Sequence, residues 1–410
     1  MIGKFDLAKL CKWNVTVFVF YVFWYKYAFG EIVSVIYLTG AIAVVCMVLD
    51  VLYNRSDFFH IFPSGVSVNL IMCIYSVITG IWVAINYSHL IDQVKTYACY
   101  TLLCMSMCYV AYYERNTEWI IKILVCVAVV CCVQVAFKGY YKRGYGYIIS
   151  DSNNPNLFGL VLDLGIFGNI FVYSKKNKTG KIISILEIAM FFYFIVGCGS
   201  RKCLIAALLI IAMWMLPLFA KQINNAKTAN KIFIMVCIIV LVAAGIYYYR
   251  NVYVNTESYN RMTLLGNTEN EEGSSAKREL FYKLALEIFV AKPVFGAGYE
   301  QFRMYNQYGA YSHSTYAEAI ASWGTIGCII YFLPVLGIAG KLLRRRTDKK
   351  NPELYRLLFA LWIMEIFLGV GQIWFYTIEH LIAWTLLYLC YNAASEQNQN
   401  EIKRCKYVKA

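Results

Sequence analysis

The chain has 410 residues, of which 60% are apolar, and carries a formal net charge of +14. A soluble domain is nearer half apolar; the surplus falls in long runs, which excludes an ordinary soluble enzyme and points to a polytopic membrane protein. In that setting the positive charge reports topology and not nucleic-acid binding, because cytoplasmic loops collect Lys and Arg.

Taken in order, the apolar runs predict twelve spans: 13–29, 32–52, 66–85, 97–113, 119–137, 157–173, 182–196, 203–220, 232–249, 317–339, 355–370 and 374–391. No small-residue cleavage site follows the first run, so it is expected to stay as an anchor. Basic residues gather in alternate connections: Lys4, Lys9 and Lys12; Lys175, Lys176, Lys178 and Lys181; Lys341, Arg344, Arg345 and Arg346; and the tail Lys403 to Lys409. Both termini are therefore expected in the cytoplasm. The expected organisation is nine spans over 1–249, a large extracytoplasmic loop over 250–316, three spans over 317–391 and a cytoplasmic tail over 392–410. The cysteines lie mostly in apolar runs, as Cys126, Cys131 and Cys132 do, and read as small buried hydrophobes.

Three outer segments keep basic residues against the orientation bias: 138–147, 197–202 and the long loop. In the loop, Leu280, Leu284 and Ile288 recur at helical spacing after Ser274 and Ser275. This predicts an amphipathic helix lying over the outer face and ended at Lys292-Pro293. Arg201 follows a turn with Gly197 and Gly199 at the mouth of the eighth span, where a planar guanidinium and a helix N-terminus both suit phosphate. The plainer alternative is an arginine anchoring the helix end. Arg278 in the first turn of the loop helix opposes the helix dipole, which disfavours a purely structural role; a solvated surface charge is the alternative.

His313 is one of four histidines and enters the tenth span at the outer side. Imidazole titrates near neutrality and is the natural general base there; a loop histidine bonded to a carbonyl is the alternative. Gly324 and Gly327 lie three apart, a spacing at which another helix can approach. Asp163, Glu187, Glu365 and the neighbours Glu379 and His380 are ionisable groups inside spans, open to pairing or to function.

These residues together resemble the O-antigen ligase and polymerase superfamily of integral-membrane glycan transferases. The ligase signature is His, then Asn, Ser or Gln, nine free positions, Gly, two free, and Gly, Thr or Tyr. It is met by His313, Ser314, Gly324 and Gly327. Pro293-Val294-Phe295-Gly296-Ala297-Gly298 is similar to the family's Pro-x-x-Gly-x-Gly segment, and Asn154-Pro155-Asn156 to an Asn-Pro-Asn element. Ser200-Arg201 resembles its Ser-Arg motif, with Ile205 where the family has Leu.

The resemblance implies an all-α bundle of about twelve transmembrane helices at the outer face of the bacterial cytoplasmic membrane. It implies a metal-independent inverting glycosyltransferase with an undecaprenyl-pyrophosphate-linked donor, a glycan acceptor and no cofactor. Arg201 and Arg278 would neutralise the leaving pyrophosphate and His313 would deprotonate the acceptor hydroxyl. Lys202, Asn156, Tyr316 and Ser314 would contact phosphate or sugar, and a flippase and a chain-length regulator are conceivable partners. The signature fits a ligase; the composition, poor in Ala and rich in Ile, Lys and Tyr, suggests an organism without a lipopolysaccharide core, and polymerase is the expectation taken. The competing class is a glycan flippase or other transporter, to which Asp163, Glu187 and Glu365 would belong.

Overall fold

The computed structural model describes residues 7–25, 32–54, 62–138, 142–143, 146–147, 155–225, 250, 254, 274–345 and 351–409. The chain divides into two compact units, Met1–Ile123 with Asn270–Ala410, and Leu124–Glu269. In chain order the helices are α1 (Leu7–Phe20), α2 (Val33–Asn54), α3 (Ser64–Val83), α4 (Tyr87–Glu114) and α5 (Glu118–Lys138). Next are α6 (Pro155–Tyr173), α7 (Lys178–Gly197), α8 (Arg201–Asn225) and α9 (Ser274–Ala291). The last are α10 (Thr315–Arg345), α11 (Pro352–Leu368) and α12 (Ile378–Lys409). A small antiparallel pairing of Lys142–Arg143 with Gly146–Tyr147 interrupts the helices.

Seven helices among the described residues are long and apolar enough to cross a membrane: Leu7–Tyr25, Val33–Asp50, Ser64–Val83, Glu118–Phe137, Pro155–Tyr173, Lys178–Gly197 and Thr315–Arg345. Helices α4, α8, α11 and α12 lie over four further expected spans. Of these, α11 is 17 residues long. The ninth expected span, 232–249, lies outside the described residues. The outward faces carry what a lipid-facing surface requires. Ile74, Ile78, Ile81 and Trp82 on α3 and Ile329, Leu333 and Leu336 on α10 are exposed, a display soluble proteins avoid.

In the larger unit, polar side chains fasten helix to helix. Asn14 donates to the Thr39 carbonyl at 2.9 Å, and the Tyr97 hydroxyl to Asn69 Oδ1 at 2.7 Å. The Lys12 ammonium meets Glu114 at 2.7 Å. Helix α9 buries Phe281, Ala285 and Ile288, one stripe at helical spacing, against Ala297, Phe302 and Ala321. Gln301 then ties the loop to the α3–α4 turn, accepting from the amides of Ile85 (3.0 Å) and Asn86 (2.8 Å).

Helix α10 departs from the continuous span read from the sequence. Gly324 has φ 62° and ψ −163°, which breaks the helix. Gly324 was expected to admit a neighbouring helix; what it admits is a backbone turn. Thr325 N–H donates to the Pro293 carbonyl at 2.8 Å, Ala297 N–H to Ala321 at 2.7 Å and Gly298 N–H to Ser322 at 2.9 Å. A backbone group freed inside a membrane helix needs a partner, and the Tyr75 hydroxyl supplies one to the Trp323 carbonyl at 2.9 Å. Gly327 does serve close approach, since a Cβ there would sit 2.9 Å from the Tyr75 ring.

Gly324→Ala is expected to destabilise sharply. The backbone conformation alone costs an alanine about 1–3 kcal/mol. Its Cβ would also lie 2.6 Å from backbone atoms of Val294 and Gly296, which cannot swing aside. Thermal unfolding in detergent should show a clear drop, while Gly337→Ala, whose Cβ meets nothing within 4 Å, should leave the midpoint unchanged or slightly raised.

Candidate functional site

The candidate residues fall in both units. In the smaller one, Pro155 opens α6 and Asn156 follows it, a position that suits proline because no intrahelical N–H is lost. Gly199, at φ 72°, turns the chain into α8. Ser200 stands before the first residue of α8; its hydroxyl donates to Asn156 Oδ1 at 2.7 Å and lies 3.4 Å from the Cys203 amide, in the manner of an N-cap. The Cys203 thiol reaches the Asn156 carbonyl at 3.2 Å. Gly159 permits this closeness, since a Cβ there would sit 2.6 Å from the Cys203 side chain. The Asn-Pro-Asn and Ser-Arg segments, 44 residues apart, are thus joined directly. Arg201 and Lys202, both half-buried, occupy the first turn of α8. Two cations at a helix N-terminus work against the macrodipole; an anion placed there would relieve both. Asp163 is fully buried farther along α6 and faces the Cys203 thiol.

In the larger unit, His313 sits in the turn that leads into α10, half-buried, with φ 58°. Among the described residues only Arg115, Glu300 and His313 are non-glycine residues with positive φ, and two of these three belong to this loop. Such strain gathers at functional sites. The imidazole stacks on Phe281 of α9 (centroids 6.1 Å, 26° between planes) and lies 4.4 Å from the Tyr311 ring. Arg278 precedes Phe281 by about one turn of α9, and its charge acts on Tyr311. The loop helix therefore brings Arg278 to the His313 side of this unit. Burial pushes the Tyr311 phenol above its ordinary pKa, with the Arg303 and Arg278 guanidinium groups pulling the other way.

Arg303 was not singled out from the sequence. Its guanidinium lies 5.0 Å from the Tyr311 ring and grips Glu300 through Nε (2.5 Å) and Nη2 (3.1 Å). Burial raises the Glu300 carboxyl and Arg303 opposes that rise. Ser314 and Tyr316 are used by the frame. Ser314 Oγ lies 3.5 Å from the Ala317 amide, and the Tyr316 hydroxyl donates to the Ile366 carbonyl at 2.7 Å.

Below this turn the ionisable groups of the last two helices meet. His380 Nδ1 lies 2.6 Å from Glu365 Oε2 and its Nε2 lies 2.7 Å from Gln372 Oε1, with His380 and Glu365 fully buried. The Gln372 carbonyl accepts from Thr315 through both N–H (3.0 Å) and Oγ1 (2.7 Å). Sequence reasoning placed His380 beside Glu379, its neighbour in the chain. The partner is Glu365, one helix earlier, and only tertiary packing selects it. Among the described residues no three His, Cys, Asp or Glu side chains gather as a metal set would.

In class, the protein is a multi-pass, predominantly helical membrane protein with a strained histidine turn where a loop helix meets a membrane helix. Residues 186–332 match the family model described as O-Antigen ligase, which supports the O-antigen ligase and polymerase superfamily. The matched stretch holds Arg201, Arg278, His313, Gly324 and Gly327; Asn156 lies before it. No curated protein matches the chain.

Proposed function

We propose that the protein is a polysaccharide polymerase. It transfers a glycan from undecaprenyl pyrophosphate to a hydroxyl of a lipid-linked repeat unit at the outer face of the cytoplasmic membrane, with both termini inside. The observation that carries the reading is the His313 turn, with the Arg278 helix packed on it through Phe281. The acceptor oxygen attacks the anomeric carbon and His313 takes its proton. The bond from that carbon to the pyrophosphate oxygen breaks, and the electron pair leaves with the pyrophosphate. One displacement inverts the anomeric centre. Arg278 and Arg201 offset the charge that develops on the leaving group. Lys202 and the Asn156 amide supply further donors, while Ser314 and Tyr316, engaged in the frame, have the smaller share in substrate contact. This scheme asks nothing of a metal or cofactor. A flippase upstream and a chain-length regulator are the partners it calls for.

Ligase-type transfer to a different acceptor is the second reading, favoured by the family description that residues 186–332 match. Lipid-linked products on a gel decide between the two. Deleting the gene leaves single lipid-linked repeats if the protein polymerises, and full-length lipid-linked chains if it ligates. Substrate accumulating in the inner leaflet would instead favour a transporter. Against that class, Glu365 and His380 are bonded to each other in the packed interior.

A further inference from the structure

One buried carboxylate beside the histidine turn has no part in the scheme above. Glu318 lies on the first turn of α10 and is fully buried. Its Oε2 accepts the Ser312 N–H at 2.7 Å and its Oε1 accepts the Tyr376 hydroxyl at 2.6 Å. Ser312 is the residue before His313, and its own hydroxyl donates to the Ser314 carbonyl at 3.0 Å, beyond the histidine. The chain is thus pinned on both sides of His313. The pinned residue has φ 58°, a conformation that side chains other than glycine adopt only where their surroundings enforce it. A carboxylate is the strongest acceptor a side chain can offer to a peptide N–H. Tyr376 is fixed in turn. It ends the Trp374–Tyr376 turn, in which the Trp374 N–H donates to Thr315 Oγ1 at 3.0 Å, and its ring packs on Tyr299 at 5.4 Å.

We infer that Glu318 and Tyr376 are a positioning pair for His313: the carboxylate clamps the Ser312 amide and so holds the histidine in the left-handed turn that sets its ring between Phe281 and Tyr311. Neither residue touches the reacting atoms; both act through the backbone. The inference rests on His313 being the acceptor-activating base, because only then does its exact placement govern turnover.

The test uses the full chain, purified in nanodiscs, with lipid-linked glycan extracted from a deletion strain as substrate and undecaprenyl pyrophosphate as the binding probe. Glu318→Gln keeps the shape and removes the charge; Tyr376→Phe removes one hydroxyl. In Glu318→Gln, kcat should fall about 10–100-fold, as misplacement of a reacting group does. KM and the probe's Kd should stay within about twofold of wild type. Tyr376→Phe should lower kcat in the same direction by less, and the double variant should be no worse than Glu318→Gln alone. A general loosening of the fold would instead weaken probe binding along with turnover, and that result overturns the inference. So does wild-type kcat in both variants beside an inactive His313→Ala. An active His313→Ala overturns the base assignment itself, and the positioning role with it. Should Glu318→Gln fail to insert, Tyr376→Phe carries the same comparison.

Discussion

Replacing His313 by alanine should lower glycan transfer by about 100-fold or more, the range a positioned general base contributes, without preventing insertion of the protein. The imidazole is half-buried, stacked on Phe281 and tilted against Tyr311. Truncation therefore removes a reactive group and little packing. In the proposed mechanism the acceptor hydroxyl would then have no group to take its proton, while the arginines would still bind pyrophosphate. The expected pattern is a collapse of kcat with donor affinity retained. Arg278→Ala should differ in kind, weakening donor binding as well as turnover. Lysine should not restore it, since a point charge does not reproduce the guanidinium fork. Surface glycan in cells, together with the amount of inserted protein, checks the first effect; probe binding to the purified chain separates the two. Wild-type glycan from an inserted His313→Ala protein would end the proposed mechanism.

The second large effect concerns stability. Glu365→Ala should cost about 3–5 kcal/mol, the usual result of removing one member of a buried His–carboxylate pair. His380 is fully buried, and its Nδ1 has Glu365 as its partner at 2.6 Å. The damage should spread, because Gln372, on the other ring nitrogen, carries the carbonyl that receives Thr315 at the head of α10. The measurement is the thermal midpoint in detergent. Glu365→Gln, which keeps an oxygen in place, should lose less. Equal midpoints for Glu365→Ala and wild type would show that the pair does not hold these helices.

Much of this was legible in the residues. Apolar runs located the helices because a membrane span must satisfy its backbone internally over a fixed length. The loop helix was legible because Leu280, Leu284 and Ile288 repeat with a helical period, but its buried stripe is Phe281, Ala285 and Ile288, and Leu280 is exposed. The spacing from His313 to Gly324 and Gly327 marked the turn. Three things could not be read. The break at Gly324 depends on a partner segment thirty residues earlier, and glycine in an apolar run reads equally as packing. The Glu365–His380 pair joins two helices whose register only packing fixes. Glu318 was missed although it stands four residues after Ser314, close to the reach of a capping box. The Ser200–Asn156 bond was foreshadowed only in that both residues lie in motifs.

The break in α10 has a consequence for modularity. Residues 293–298 are bonded to 321–326 from both sides of Gly324, so the loop helix, the turn after it and the head of the membrane helix form a single piece. The long loop is therefore no interchangeable appendage. A chimera that exchanged the loop alone would leave the carbonyls of Ala321 and Ser322 without their donors and would unmake the histidine turn. An exchanged block therefore has to span at least 274 to 327, and it still has to meet Tyr376 through Glu318 and Gln372 through Thr315. The loop helix and the histidine turn are thus inherited together, and a change in either has to arise side chain by side chain within that bonded piece.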